Sequence, residues 1–350
     1  MKNLKLFFAA FLILLIGFGT WLAMNYESRI MNNGKTNHNS KFIPHDSLSF
    51  ILDWTPNTNH TGIYVAQSKG WYKDEGINLK ILPYSQSVTP DVLVASGKVD
   101  VGISSTESIV ADAASGAPVV SIAAVISRNT SALVALNESG INRPKELDGK
   151  IYGGFGSAFE EPVIGGMIRN DGGAGTFKNV TISVDTLEAL KSKKVDFVWI
   201  FMGWDGIAAT RQHIGLHVFP ISQFGIPDYA TPNIISSKQT ILKKKELLKK
   251  FMKATAKGYE YARLHPEESA QILIKSAPAG SFADPQLVID SQKYLSPLYA
   301  DSGKKWGVQD PKTWGDYPQF MLKNKAVLDA KGKPVQKLDI DTLFTNEFFK

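Results

Sequence analysis

The run Asp53-Trp54-Thr55-Pro56-Asn57-Thr58-Asn59-His60-Thr61-Gly62-Ile63-Tyr64-Val65-Ala66-Gln67-Ser68-Lys69-Gly70-Trp71-Tyr72-Lys73 joins a strand end, a polar and aromatic loop and a capped helix, and its reading decides the fold. The residues before it, 48–52, are apolar and flanked like a buried strand. Thr61 or His60 opens a helix over 62–69, and Gly70 stops it. A strand feeding a helix through such a loop is the unit of an open α/β sheet, in which ligand-contacting side chains gather at the carboxyl ends of the strands. Trp54, Asn57, Asn59, His60 and, one helical turn on, Tyr64 are therefore candidate ligand contacts. Indole and phenol rings stack on flat heterocycles, and amides pair with ring nitrogens and exocyclic amines. The structural alternatives are that Asp53 braces the loop, Trp54 fills the core and His60 caps the helix.

Outward from this loop, short apolar runs alternate with amphipathic helices, which implies a parallel-rich sheet covered on both sides. Strands are predicted over 49–52, 78–83, 99–104 and 119–126. Helices are predicted over 92–96 and 108–114, opened by Pro90 or Glu107 and closed by Gly97 and Gly116. A second set begins at Leu147-Asp148-Gly149-Lys150, with strands over 151–153, 180–184 and 195–201 and helices over 160–169 and 187–192. A strand over 233–236 leads into long helices, among them 245–264 and 267–275. Periodicity alone thus predicts a two-lobed α/β protein; crossings between lobes near 127–140 and 231–238 belong to the topology that the resemblance given below helps to carry.

With 350 residues, 43% of them hydrophobic, the chain can bury a large core. It has no cysteine, which excludes disulfides, a thiol nucleophile, Cys-bound zinc and a thioether-lipidated anchor. Lys2 and Lys5 precede an apolar run over 6–24 that is long enough to span a membrane, and Trp21 disfavours a cleavage site before Met24. Residues 1–24 are read as an uncleaved signal anchor, with a cleaved signal peptide as the alternative. Residues 25–46 are read as a solvated tether. Either way the globular part is exported. The formal charge of +6 comes from scattered basic residues, and the cluster Lys243 to Lys245 with Lys249 and Lys250 reads as a solvated helix face, with no nucleic-acid partner.

The first-loop phrase, with Gly62 to Tyr72 and Glu75-Gly76-Ile77, resembles the opening of extracytoplasmic binding proteins of thiamine-precursor ABC transporters. The nearest type is ThiY, which captures N-formyl-4-amino-5-aminomethyl-2-methylpyrimidine. The resemblance implies an α/β, two-lobed type II periplasmic-binding-protein fold with a hinge. It implies lobe I over 47–137 plus 235–350 and lobe II over 138–234. It also implies an aminopyrimidine ligand, an ABC permease with its ATPase as partners, and a place on the extracytoplasmic face of the membrane, held by residues 6–24.

Four further clusters bear on the site. Ser104-Ser105-Thr106-Glu107 follows a strand and starts a helix, where hydroxyls and free amides suit an anionic or strongly polar ligand group, with plain capping by Ser105 or Thr106 as the alternative; Ser105 and Glu107 are the candidate contacts here. Tyr152 to Glu161 is glycine-rich, but Phe159 stands where a dinucleotide fingerprint needs its last glycine. In the resembled family a Glu of this segment meets the aminopyrimidine. Glu160 and Glu161 both fit, and Glu161 is preferred; charge-assisted hydrogen bonds are worth roughly 1.5–3 kcal/mol each. Trp204 sits beyond a strand end and is the better stacking ring, whereas Trp199 lies within the strand. Tyr229 and Asn233 belong to a stretch where the family usually has a second tyrosine and this chain has Ala230, which either enlarges the pocket or removes a hydroxyl contact. Such a site needs no cofactor and no metal.

Two rival readings share the fold. Yeast-type thiamine-pyrimidine synthases are similar at the first loop, yet they carry a cysteine-rich iron segment where this chain reads Tyr229-Ala230-Thr231-Pro232-Asn233. Receptors for riboflavin, nitrate or sulfonates are the other alternative. No G-x-S-x-G or H-E-x-x-H occurs, so the chain is read as a binding protein rather than an enzyme.

Overall fold

The computed structural model describes residues 46–85, 87–182 and 185–350. The apolar segment 6–24, the tether up to residue 45, Gln86 and the last two residues of the strand expected over 180–184 lie outside the described residues. Among the described residues no helix is long and apolar enough to cross a membrane.

Ten strands are described: β1 (Asp46–Ile51), β2 (Ile77–Leu82), β3 (Val101–Ser104), β4 (Val119–Ala124), β5 (Ser131–Leu136), β6 (Ile151–Gly154), β7 (Lys178–Thr181), β8 (Phe197–Phe201), β9 (Leu216–Pro220) and β10 (Asn233–Ser237). They form two five-stranded sheets, ordered β2-β1-β3-β10-β4 and β7-β6-β8-β5-β9. In each sheet the first three strands are parallel, and the fourth position holds a strand antiparallel to both neighbours. That fourth strand is the one entered from the other half of the chain: β5 follows the first crossing and β10 the second. This is the expected α/β architecture of two sheets.

The segment 127–140, expected as a crossing, contains β5 and so belongs largely to the second sheet. Its apolar run Ser-Ala-Leu-Val-Ala-Leu is buried along five of six positions, as a central strand requires. β9 falls where no strand is predicted: its five residues, Leu-His-Val-Phe-Pro, include a single buried position and so give a weak apolar signal.

The helices that matter for the site are α1 (Thr61–Ser68), α2 (Pro90–Ala95), α3 (Thr106–Ser115), α4 (Glu160–Asn170), α5 (Ile207–Arg211), α6 (Lys245–Leu264), α7 (Pro266–Ser276), α8 (Pro285–Leu295) and α9 (Pro311–Lys323). Gly70, with φ of 78°, ends the first of them. α6 buries Leu248, Phe251, Met252, Thr255, Gly258, Tyr259 and Ala262 at helical spacing, which leaves its lysines on the solvent face. There Lys249 pairs with Glu246, and Lys245 pairs with Glu347. α6 crosses α1 at two glycines: a Cβ on Gly258 would lie 2.0 Å from the Gly62 carbonyl oxygen.

α8 and α9, expected within the first lobe, contact both halves. Ser291 of α8 bonds Thr58 of the first loop at 2.6 Å and donates to the Gly203 carbonyl beyond β8. Arg211 of α5 clamps Asp284 and Asp290 at 2.8 Å. α9 contributes Trp314, Tyr317 and Met321 to one buried cluster that also holds Val94 of α2 and Leu133 and Tyr152 of the second sheet.

Candidate functional site

The first loop is built from its own polar groups. The Asn57 side chain accepts from the Asn59 amide at 2.8 Å and donates to the Thr55 carbonyl at 3.1 Å, capping a short 3₁₀ turn, Thr58–His60. His60 is fully buried. Its Nδ1 accepts from the Asn57 backbone at 3.1 Å, which assigns the ring proton to Nε2, 2.8 Å from Asp53 Oδ1. Both ring nitrogens and the Asn57 amide are therefore engaged inside the loop. The structure thus places Asn57 and His60 as braces rather than at a ligand surface. Tyr64, 5% exposed, packs with Ala270 and Leu273 of α7 and Val288 of α8. Trp54 is half exposed and leans on Tyr84, which follows β2, with ring centroids 4.9 Å apart. Asn59 is half-buried, and its carboxamide has no hydrogen-bond partner among the described residues.

At the end of β3 the polar groups also face inward. Ser104 donates to Asp91. Burial holds Asp91 above the usual carboxylate range, and the neighbouring Asp112 is pushed up to about 8 by burial and by the Asp91 charge. Ser105 caps α3 by accepting from the Ser108 amide at 3.1 Å. Thr106 donates to the Ala230 carbonyl at 2.6 Å, and Asn233 donates to Thr106 at 2.7 Å. These bonds tie the second crossing to the start of α3.

Glu107, only 3% exposed, is the exception. Its Oε1 accepts from the Tyr229 hydroxyl at 2.5 Å, while Oε2 has no partner among the described residues. Burial raises the pKa of this carboxyl, and the Tyr229 hydrogen bond opposes the rise. Tyr229 is itself stacked on Tyr317 of α9, with centroids 3.8 Å apart. The helix start expected to suit an anion thus carries a buried acid with an unused acceptor.

The glycine-rich segment separates the two adjacent glutamates. Glu160 is fully buried and accepts from the backbone amides of Phe155 (2.8 Å), Gly156 (2.9 Å) and Ser157 (3.0 Å) and from the Tyr152 hydroxyl (3.0 Å). It is the anion around which the loop folds, and Gly156, at φ of 83°, makes the turn possible. Gly154 is required by close approach, since a Cβ there would sit 2.3 Å from the Tyr152 ring. Glu160 therefore has no oxygen left for a ligand, which corrects its inclusion among the contacts. Glu161 is exposed, with no side-chain partner among the described residues.

Trp199 is core, 4% exposed and edge-on to Phe159. Trp204 lies on a π-turn, Met202–Gly206, half-buried against Phe282 and the Tyr64 cluster. Asp205 holds that turn by accepting from the Phe201 amide at 3.0 Å, and burial pushes its carboxyl up to about 6.

A cavity of about 240 Å³ lies between the two halves. Glu107, Ser108, Val110 and Ala111 of α3 form one wall, Ser157, Ala158 and Phe159 another, and Met321, Ala326 and Val327 the third. Of the expected contacts, Glu107 lines it, and Tyr229 is one hydrogen bond away. Trp54, Tyr64, Trp204 and Glu161 are not among its walls. Ala230 lines a separate crevice of about 20 Å³ with Tyr299 and Gln309, so its small side chain does not widen the larger cavity. Sequence reading missed the third wall and Tyr317, because Trp314-Gly315-Asp316-Tyr317-Pro318 carries no motif.

A family model described as NMT1/THI5 like matches residues 57–269. The chain is 25% identical over 274 residues to a protein of Halalkalibacterium halodurans named formylaminopyrimidine-binding protein, covering 77% of this chain and 82% of that one. It is 29% identical over 235 residues to a 4-amino-5-hydroxymethyl-2-methylpyrimidine phosphate synthase of Legionella pneumophila, covering 66% and 74%. Among solved structures, the alkanesulfonate-binding protein SsuA from Xanthomonas axonopodis pv. citri, bound to MOPS, matches with a TM-score of 0.64 at 11% identity, over 85% of this chain and 98% of that one. At that identity the likeness is one of fold.

Proposed function

Because the chain belongs to the NMT1/THI5-like family, we propose that it is an extracytoplasmic solute-binding protein that captures a thiamine pyrimidine precursor and delivers it to an ABC permease. The ligand is N-formyl-4-amino-5-aminomethyl-2-methylpyrimidine or the hydroxymethyl analogue, and residues 6–24 hold the protein at the membrane.

One observation carries the reading. Glu107, with an unused oxygen, lines a cavity walled by both halves of the chain. A buried acceptor favours a ligand that brings N–H groups, as an aminopyrimidine does, and gives a sulfonate or nitrate nothing to bind. The apolar walls from Val110, Ala111 and Met321 suit the ring and its methyl group. Trp54 over Tyr84 supplies a stacking face at the strand ends, and Glu161 an exposed carboxylate. The bound ligand draws the lobes together about the two crossings.

The family also contains proteins named as synthases. Against an enzyme reading, the stretch 229–233 has no cysteine to hold iron, and its polar groups hold α3 and the crossing together.

Isothermal titration of the full-length protein in detergent tests the proposal. The formylated aminomethylpyrimidine is expected to bind at micromolar or tighter affinity, about −8.2 kcal/mol at 1 μM. Glu107→Gln is expected to weaken it at least tenfold. Preference for an alkanesulfonate or riboflavin over every pyrimidine would overturn the proposal.

A further inference from the structure

The formal charge of the chain is concentrated in one short stretch. Residues 238–253, a short helix Lys238–Lys243 and the opening turns of α6, hold seven lysines against one glutamate, a charge of +6 that equals the formal charge of all 350 residues. Six of the seven lysines are exposed, and Leu242 among them is 82% exposed. The tertiary structure sets this stretch at one end of the first sheet. β10 is antiparallel to β3, with Ser236 opposite Val101, so the chain leaves β10 for Lys238 at the amino ends of the parallel strands β1, β2 and β3. Lys244 pairs at 2.7 Å with Asp100, just before β3, and Lys253 pairs at 2.7 Å with Glu75, just before β2. The chain enters β1 at the same place: the Asp46 amide donates to the Gly76 carbonyl at 3.0 Å, next to Glu75. Residues 25–45, the stretch read as a tether, therefore join the fold beside the lysines.

We propose that this lysine face is a docking surface for the anionic lipid headgroups of the membrane entered by residues 6–24, with Leu242 dipping between the headgroups. This rests on the membrane-anchored part of the reading above and adds to it a contact face and an orientation. Lys238, Lys243 and Lys250 have no acidic partner among the described residues, while Lys244, Lys245, Lys249 and Lys253 pair with Asp100, Glu347, Glu246 and Glu75. Even with those four acids counted, lysines outnumber acids on this face, and exposed pairs are weak enough to yield to competing anions. Lysines within about 10 Å of an anionic bilayer surface are attracted to it, and an apolar side chain ringed by lysines is the composition of an interfacial helix. Residues 25–45 reach at most about 75 Å when fully extended, which keeps the fold near the surface, so that a weak attraction shared by several lysines is enough to dock it. In this orientation the amino ends of β1 to β3 meet lipid. Their carboxyl ends, with the first loop and Ser104 to Glu107, face the medium from which a ligand arrives.

The chain has no cysteine, so Gln239→Cys, exposed on this face, gives a single position for a fluorophore. The labelled full-length protein is reconstituted into vesicles that carry a headgroup-labelled acceptor lipid, in phosphatidylcholine alone or with about 30% phosphatidylglycerol, and energy transfer to the surface is measured. Transfer is expected to rise about twofold with the anionic lipid and to return to the phosphatidylcholine level in about 0.5 M salt, where charge is screened within a few ångströms. The combined reversal Lys238→Glu, Lys243→Glu and Lys250→Glu breaks no ion pair of the described fold and is expected to abolish the rise; the salt arm carries the test if that variant does not fold. A rise that persists in salt, or in folded charge-reversed protein, would overturn docking by headgroup charge. Equal transfer in both lipids, in protein that floats with the vesicles, would overturn the docking alone and leave the anchor standing. Protein that does not float with the vesicles would overturn the anchored reading and this inference together, while ligand titration of the same sample reports on the receptor reading separately.

Discussion

Replacing Glu160 by Gln is expected to destabilise the fold by about 3–5 kcal/mol, whereas the same change at Glu161 leaves stability within about 0.5 kcal/mol. The magnitude follows from four contacts. Oε2 takes the amides of Gly156 and Ser157, and Oε1 takes the Phe155 amide and the Tyr152 hydroxyl. In the variant, the Gln amide group is best placed at the Oε1 position, where Tyr152 can turn its hydroxyl and accept. That leaves the Phe155 N–H facing another donor, a buried donor without a partner, at about 1–3 kcal/mol. The two bonds at Oε2 change from charge-assisted to neutral and lose about 1 kcal/mol each. Against a typical net stability of about 5–15 kcal/mol, such a loss is readily measured. Urea unfolding monitored by tryptophan fluorescence should show a lower midpoint at unchanged slope for Glu160→Gln. Ligand affinity should fall with it, since Ser157 to Phe159 wall the cavity. A loss below about 1 kcal/mol would refute the claim that Glu160 organises this loop, and would return it to the candidate contacts.

Other outcomes follow from packing and titration. Gly258→Ala should cost about 1–3 kcal/mol despite the better helix propensity of alanine, because the new methyl meets the Gly62 carbonyl of α1; a stabilised variant in thermal unfolding would show that the two helices can part freely. Asp112 is protonated in the fold up to about pH 8 and ionises near pH 4 when unfolded, so the folded state binds the extra proton between those values. Stability should therefore decline as pH rises from about 4 to 8, and Asp112→Asn should flatten that part of the profile; an unchanged slope would count against the buried Asp91–Asp112 pair. Arg211→Met should change stability by less than about 1 kcal/mol, since the Arg211 side chain is 29% exposed and its partners more so; a larger loss in urea unfolding would make the α5–α8 clamp a structural requirement.

The sequence by itself determined the element pattern, because that pattern is local physics. Apolar period, Pro at helix starts and Gly at helix ends act within a few residues of the chain. They fixed α1 with its Gly70 stop, the buried strands, the amphipathic α6 and the alternation that requires α/β layers. The first-loop phrase likewise carried the family, which the match over 57–269 shares. What tertiary structure alone decided is which polar groups are already engaged. Glu160 and Glu161 are adjacent and chemically identical, and helical rotation buries one among amide donors while exposing the other. His60 and Asn57 have the chemistry of ligand contacts, yet the loop closes on them. Nothing local marks β5 as a strand of the second sheet, since its partners β8 and β9 lie some sixty to ninety residues on. Tyr317 reaches the Glu107–Tyr229 pair only because α9 folds back across both halves, more than eighty residues after Tyr229. Hydrogen-bond satisfaction is a property of neighbours in space, and a chain lists only neighbours in order.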